Sequence, residues 1–338
     1  MNFINILNHI LRPLEWVVAQ LLTLFHHALV TFGMTAGPSP AWGIAIMCLV
    51  LVIRICLLPF FLSQMRAMQR IQVLQPQIQR IQHKYAARKD PRSKEAMQRE
   101  IMALQQRYNA NPLGSCLPSL IQAPILCSLF YTLQSLPAIA DGNAEPLGGI
   151  DHTMAGDIES SSIFGVRIAD SFGTVASPQS RIIIGVAVAL MCLTLFAIQW
   201  MLIHRNTSKD VMVSPQFRVQ KMTVFVFPAI YVVSGATLPF GVLLYWLTNN
   251  LWNLGQTLCQ LRWFPTPGSA AGERKARRDY EQDNRRRAAA GLPSLEEERA
   301  MAAREEAKAR REREKSAASR NRKQHKTPHL AKRSIVKR

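Results

Sequence analysis

The chain alternates long apolar runs with charged or glycine- and serine-rich connections. A helix needs about 20 apolar residues to cross the hydrocarbon core of a bilayer. Five runs approach or reach that length, and they predict an all-α polytopic membrane protein with five transmembrane helices. The predicted spans are residues 42–62, 116–136, 182–203, 222–238 and 240–261.

Residues 1–40 form a different kind of segment, because their apolar residues are striped with polar ones at helical spacing. This pattern favours an amphipathic helix lying in the membrane interface, followed by a turn at 35–40. A sixth span over residues 1–33 is the alternative. The polar positions are Asn5, Asn8, His9, Arg12, Glu15, Thr23, His26 and His27.

Residues 63–112 follow the first span and carry two short heptad-like stretches with a break at 88–91. Loops do not keep heptad spacing, so this segment is predicted to be an antiparallel helical hairpin that stands off the membrane. A solvated charged loop is the alternative. The predicted seam of the hairpin is Ile71, Leu74, Ile78 and Ile81 on the first helix, with Met97, Ile101 and Leu104 on the second.

The charge of the connections predicts the topology. Residues 63–112 contain ten lysines and arginines against three acids, a net charge of +7, whereas residues 137–181 carry a net charge of −4. The positive-inside rule therefore places the hairpin in the cytoplasm and 137–181 outside. The span with Arg54 starts outside, and the tail at 263–338 lies in the cytoplasm. The tail is predicted to be largely disordered, with a charged helix candidate at 295–315.

Composition limits the function further. The whole chain has 41 lysines and arginines against 22 acids, a net charge of +19, which indicates an anionic partner such as nucleic acid or acidic lipid. None of the six cysteines forms a CxxC or CxxH cluster, so neither a zinc site nor a disulfide framework is predicted. There is no Ser/His/Asp set, HExxH motif or P-loop. We expect no enzymatic activity, cofactor, metal or small-molecule substrate.

Arg54 is the residue that most needs a functional explanation. It lies near the middle of the first span, where an arginine costs roughly 2.5–3.5 kcal/mol even on insertion scales. No other predicted span contains Asp or Glu to pair with it. Ser63, the start of the polar segment, is nine residues away, about 13 Å along a helix. That depth argues against the alternative, an arginine that snorkels to a headgroup, and favours a water-accessible cavity.

Amides on other spans fall at the same depth when counted from the predicted cytoplasmic ends. Amides can simply hold helices together, which would explain one or two of them. A stripe along one helix face, level with an unpaired arginine, instead predicts a polar groove that opens to the cytoplasm. Its predicted lining is Arg54, Gln122, Gln199, Asn249, Asn253 and Gln256, and the stripe also includes Tyr245 and Gln260.

These motifs resemble the YidC/Oxa family of membrane protein insertases. The resemblance covers most of residues 42–262 in the same order, and the NP-x-GSCLP-x-LIQ-x-PI run with the positioned arginine is highly specific. The chain resembles a bacterial member of a short form, without the large outer domain. The matching stretches are WGIAIMCLVLVIRICLLP (42–59), QRIQVLQPQIQRIQHKY (69–85), YNANPLGSCLPSLIQAPI (108–125) and LPFGVLLYWLTNNLWNLGQ (238–256).

The resemblance implies roles for particular residues and partners. Arg54 would be the arginine of the family's groove, and Phe130, Tyr245 and Trp246 would line a hydrophobic slide towards lipid. The hairpin would capture substrate. The expected function is insertion and folding of nascent membrane proteins in the cytoplasmic membrane, alone or with the Sec translocon. The basic tail would bind the ribosome or anionic lipids, although a solvated tail without a partner is the alternative.

Two other functions compete with the insertase. A transporter or anion channel could use Arg54 as a selectivity charge, but no intramembrane carboxylate or inverted repeat supports it. A scaffold could tether ribosomes through its tail alone. Ion flux in liposomes separates the first from an insertase, and deletion of the tail separates the second.

Overall fold

The computed structural model describes residues 3–87, 90–110, 117–212 and 215–326, and it is almost entirely helical. The start of the predicted second span at 116, the whole NPLGSC stretch (111–116) and the last twelve residues of the tail lie outside the described residues. The helices are α1 (Phe3–Thr31), α2 (Ala41–Tyr85), α3 (Pro91–Arg107), α4 (Leu117–Ala140), α5 (His152–Ser160), α6 (Pro178–Asn206), α7 (Lys209–Met212), α8 (Pro215–Thr237), α9 (Phe240–Trp263), α10 (Ala270–Ala289) and α11 (Leu295–Lys326).

Four described segments are long and apolar enough to cross a membrane: Leu11–Thr31, Ala41–Tyr85, Gln122–Ala140 and Pro178–Asn206. The prediction of an all-α polytopic membrane protein is confirmed. The last two predicted spans correspond to α8 and α9, which form helices of 23 and 24 residues but are not among these four. Their crossing of the membrane stays a prediction.

Helix α2 is a single helix of 45 residues, about 68 Å long at helical rise. It joins the span with Arg54 to the first half of the hairpin, and it runs through Pro59 and Pro76 without a break. Helix α3 begins after Asp90, whose side chain accepts a hydrogen bond of 2.8 Å from the backbone N–H of Ser93. This is an ordinary N-cap, and it explains where the hairpin turns back.

The two helices of the hairpin pack along most of the predicted seam. Leu74, Ile78 and Ala110 are buried there, and the partly buried side chains of Ile71, Ile101 and Leu104 pack against them. Ile81 and Met97 are half-buried and lie outside this cluster. An ion pair also joins the helices: Lys84 Nζ lies 2.9 Å from Glu100 Oε2, and its hydrogen bond lowers the pKa of Glu100.

The predicted outer loop, residues 137–181, is folded. It contains α5 and an antiparallel pair of short strands, β1 (Ser162–Ile163) and β2 (Val166–Arg167). Helix α5 is capped by Asp151, which accepts a hydrogen bond of 2.7 Å from the N–H of Met154 that lowers the pKa of the Asp151 carboxyl. The carbonyls of Ile168 and Asp170 accept hydrogen bonds from the first N–H groups of α9. This segment therefore caps the predicted outer end of α9.

Helix α1 packs its stripe of apolar residues into the main core. Val18, Ala19 and Leu22 are buried there, together with residues of α2, α4, α5 and α9. His26 stacks on Trp42 at the start of α2, with ring centroids 3.8 Å apart. Farther back along α1, Trp16 and Thr23 lie against Gly148 and Gly149 of the outer loop. These contacts join α1 to the start of α2 and to the predicted outer loop. Leu11–Thr31 is also long and apolar enough to cross a membrane, so the interfacial helix and the sixth span both stay predictions.

Residues 264–273 are held against the helices by polar contacts, although the sequence pattern assigned them to the tail. Asn206 Oδ1 accepts a hydrogen bond of 2.9 Å from the N–H of Thr266, and Ser208 pairs with Ser269. Gln69 donates to the carbonyl of Phe264 at 2.6 Å. We call residues 264–273 the clasp. The compact unit accordingly extends to Glu273, eleven residues beyond the predicted end of the core.

Residues 274–338 form a second unit, in which the described residues are mostly helical. The predicted helix at 295–315 is present as the longer α11, and α10 occupies residues that the sequence pattern left without regular structure. The turn between them is ordered by side chains: Asn284 Oδ1 accepts a hydrogen bond of 3.0 Å from the N–H of Leu295, and Arg287 pairs with Glu298 at 2.6 Å.

Candidate functional site

Helices α2 and α9 pack together and bring Arg54 against the polar stripe of α9. The Nε of Arg54 donates to Oδ1 of Asn249 at 2.7 Å, and Nη2 of the same guanidinium also contacts that oxygen. The sequence supplied no carboxylate for Arg54, and the structure satisfies part of the guanidinium with a neutral amide instead. The hydrogen bonds fix the side chain, but they leave its positive charge uncancelled.

A second pair lies beside this one. Gln122 of α4 donates a hydrogen bond from Nε2 to the hydroxyl of Tyr245 on α9. Tyr245 is only 2% exposed and belongs to the main core. It therefore ties α4 to α9 from inside, and the structure does not place it on an outward-facing slide as the resemblance implied.

Below these pairs, towards the predicted cytoplasmic side, lies a cavity of about 430 Å³, which we call the Arg54 cavity. This volume is in the range of ligand pockets in proteins. The described polar residues that line it are Arg54, Gln64, Gln122, Asn253 and Gln256, of which Arg54 alone is charged. The apolar lining includes Leu57, Phe60, Phe61, Leu126 and Trp252.

The predicted groove residues thus divide into three groups. Arg54, Gln122, Asn253 and Gln256 line the cavity, and Asn249 holds Arg54. Gln199 is half-buried on α6 and is not part of the described lining. The slide residues Phe130 and Trp246 are partly buried against the core, and Trp246 stacks on Tyr231 with ring centroids 5.0 Å apart. The slide stays a prediction for these two residues.

Gln64 and Trp252 also line the Arg54 cavity and are not among the predicted groove residues. The sequence did contain a signal for Gln64, because residues 54, 57, 61 and 64 recur at the spacing of one helix face. The predicted span ends at 62 and Gln64 falls in the predicted hairpin, so the sequence pattern did not connect Gln64 with Arg54. Trp252 precedes Asn253 and carries no such signal.

Apolar side chains cover the outside of the helices that surround this site. Along α6 the exposed large residues include Ile182, Val186, Leu190, Leu193 and Trp200, spaced three, four or seven residues apart. A soluble protein rarely leaves such a continuous apolar face exposed. Polar residues inside and apolar residues outside are expected when the surrounding solvent is lipid. Among the described residues, no group of three or more His, Cys, Asp or Glu side chains could hold a metal ion.

The fold and the site define a multi-pass α-helical membrane protein with an arginine-bearing cavity. The sequence model of the family described as "60Kd inner membrane protein" matches residues 34–266. The chain is 44% identical over 306 residues to "Membrane protein insertase YidC" of Bifidobacterium longum strain NCC 2705, and the match covers 90% of each chain. The chain belongs to the YidC/Oxa membrane protein insertase family.

Two further relatives of the same name are more distant. The protein of Streptomyces avermitilis is 34% identical over 276 residues, which cover 79% of this chain and 61% of the relative. The protein of Tropheryma whipplei strain Twist is 30% identical over 284 residues, which cover 81% of this chain and 90% of the relative. The family match, over residues 34–266, includes every described lining residue of the Arg54 cavity.

Proposed function

We propose that this chain is a membrane protein insertase and chaperone of the bacterial cytoplasmic membrane. It inserts and folds nascent membrane proteins through the Arg54 cavity, alone or beside the Sec translocon, and it is not an enzyme. Family membership supports the general role. The observation that carries the specific mechanism is the cavity itself, where a neutral amide holds a charged arginine beside open volume.

The barrier to insertion lies in the polar flank of the substrate. A span gains free energy when its roughly 20 apolar residues enter lipid, but the flank that must cross first loses its hydration. A cavity that carries Gln64, Asn253 and Gln256 offers hydrogen-bond partners to that flank. Arg54 attracts an acidic residue in it, and this attraction is stronger inside the membrane than in water.

The mechanism needs the Arg54 cavity to open to the cytoplasm and the bilayer. The proposed topology has the Arg54 span starting outside and both the hairpin and the tail in the cytoplasm, as the charges of the connections indicate. The substrate would leave the cavity along Phe130 and Trp246 into lipid. The energy comes from burying the apolar span, so neither ATP nor a metal ion is required.

Reconstitution tests this function. The purified chain in liposomes should convert a ribosome-bound single-span protein into a form whose inner segment resists added protease, and empty liposomes should not. A pH- or potential-sensitive dye in the same liposomes should show no sustained ion flux. Ion flux without insertion would favour a channel instead.

The tail is proposed to bind ribosomal RNA, with anionic lipid as a weaker partner. Residues 263–338 carry 22 lysines and arginines against 11 acids, and such an excess gives strongly salt-dependent binding to phosphate. A chain that ends at Glu273 keeps the whole clasp, so its core should be as stable as that of the full chain.

Cosedimentation with ribosomes measures the effect of that truncation. Binding at low salt should fall by at least about tenfold, because most phosphate contacts are removed, while insertion in liposomes should fall only partly. Unchanged ribosome binding would contradict the role of the tail. Complete loss of insertion by a stable truncated chain would favour the tethering scaffold.

A further inference from the structure

A second cavity lies between the hairpin and the connection that leads into α8. It has a volume of about 380 Å³ and is lined by residues of α2, α3, α7 and α8. Five of its eleven described lining residues are glutamines, so we call it the glutamine cavity. They are Gln72, Gln75, Gln82, Gln105 and Gln220.

The remaining six lining residues are apolar and include Met68, Val211 and Phe217. None of the described lining residues is charged, although the hairpin that forms most of the cavity has a net charge of +7. The oxygen Oε1 of Gln72 is buried without a hydrogen-bond partner in the described structure. A buried amide oxygen without a donor is costly, so a ligand with N–H groups would gain by entering.

The two cavities follow one another on one face of α2. Residues 54, 57, 61 and 64 line the Arg54 cavity, and residues 68, 71, 75, 78 and 82 line the glutamine cavity. Every step in this series is three or four residues, which is the spacing of a single helix face. Gln64 and Met68 are one helical turn apart, or about 6 Å along the axis.

We infer that the glutamine cavity binds an uncharged, extended stretch of polypeptide. The inference rests on the proposed function, and the bound stretch would belong to the incoming substrate. Side-chain amides donate to and accept from backbone peptide groups, while the apolar residues cover uncharged side chains. Nucleic acid and anionic lipid are poorer ligands, because the described lining offers no cation for a phosphate.

The glutamine cavity and the Arg54 cavity differ in the substrate charge that they favour. The glutamine cavity accepts a neutral stretch and excludes charge, because a charge buried there would lack a partner. The Arg54 cavity favours an acidic flank. A substrate lying along α2 would hold its neutral stretch in the first cavity while its flank reaches the second, over the roughly 42 Å between Arg54 and Gln82.

Photocrosslinking in the full chain tests the site. A photoreactive amino acid at Gln105 should crosslink to a ribosome-bound single-span substrate. The same probe at Met102 should not, because this neighbour on α3 is 57% exposed and is not part of the described lining. Replacing three neighbouring apolar residues of the substrate stretch with lysine should reduce the Gln105 crosslink at least about tenfold, since each buried charge is costly.

Variants of one lining residue separate charge from packing. With the probe at Gln105, Gln75→Glu should weaken crosslinking several-fold, whereas Gln75→Met, with similar length and no charge, should retain most of it. Met102→Glu is the matched control and should have no effect. Equal crosslinking in the Gln75→Glu and unaltered chains would overturn the inference.

The two proposals fail in different ways. If Gln105 gives no crosslink while a probe at Asn253 in the Arg54 cavity does, the glutamine cavity is not a substrate site and the insertase function stands. If neither position crosslinks to a substrate that the chain otherwise fails to insert, the proposed function itself is overturned.

Discussion

Asn249 supplies the hydrogen-bond acceptor that Arg54 needs inside the membrane, and it does so without a counter-charge. A carboxylate at this position would form a stronger pair but would cancel the charge that the mechanism uses. An apolar residue would leave more of the guanidinium unsatisfied, at a cost of about 1–3 kcal/mol. An amide holds the arginine in place and leaves it available to an acidic substrate.

Asn249→Asp tests whether residue 249 must hold Arg54 without neutralising its charge. The variant should fold, since the hydrogen bonds to Arg54 remain, but its insertion of substrates with acidic flanks should fall by about tenfold or more as the charge is cancelled. Insertion of the same substrate with Asn in place of Asp should change little. Gln260→Asp, three turns along the same stripe, is the control. Equal loss for both substrates would contradict the charge mechanism.

For individual residues, the sequence indicates depth along a helix but not which side chains contact one another. Counting from the ends of the spans puts Arg54, Gln122 and Asn253 at one depth, because helical rise converts residue number into depth. The three residues line one cavity in the structure, and their role in substrate passage stays a prediction. Counting could not predict that Asn249 bonds Arg54 or that Gln122 bonds Tyr245, since those contacts depend on how α2, α4 and α9 are rotated against one another.

Helix α9 is closely packed at its first turn, where the predicted outer loop caps it. A Cβ at Gly241 would lie 2.7 Å from Ile168 Cγ2 and 3.1 Å from Leu133 Cδ1. Its N–H also donates to the carbonyl of Ile168 at 2.9 Å. Position 241 therefore requires glycine, because a side chain there would crowd Ile168 of the predicted outer loop and Leu133 of α4.

Gly241→Ala should destabilise the protein by about 1–3 kcal/mol, the usual cost of overpacking. Gly255→Ala, on the same helix, is a matched control because no atom lies within 4 Å of the added Cβ. That variant should be neutral or stabilising by up to about 1 kcal/mol, since alanine favours helix. Thermal unfolding in detergent measures both. Equal midpoints for the two variants would contradict the packing described here.

The sequence predicted most elements but not how they join. Apolar periodicity correctly indicated the hairpin, and Asp90 and Pro91 marked its turn. Pro76 removes one backbone hydrogen bond inside the first helix of the hairpin, yet α2 continues through it, because one proline can be accommodated when packing and solvent satisfy the carbonyl that it frees. The outer segment was predicted only as an acidic loop, since its small core forms through contacts with α1, α2 and α9 that no local pattern encodes.

For the whole molecule, charge and hydropathy were enough to predict the class of protein. Apolar helices alternate with connections of opposite net charge, and the structure presents apolar faces outwards with the arginine inside. The boundary of the tail was harder to predict. The clasp, FPTPGSAAGE, is rich in proline, glycine and alanine and has no apolar periodicity. Its contacts with Asn206, Ser208, Gln69 and Lys209 hold it against the first unit.

The central claim is that substrates pass through the Arg54 cavity, and crosslinking from Asn253 tests it most directly. A photoreactive amino acid would replace Asn253 during synthesis of a short single-span protein. Leu258, also on α9 but 50% exposed and not part of the described lining, provides the control position.

We predict crosslinks from Asn253 that appear when the nascent span is partly inserted and disappear after its release, with few from Leu258. Absence of crosslinks at Asn253, or equal crosslinking from both positions at all chain lengths, would contradict the proposed path.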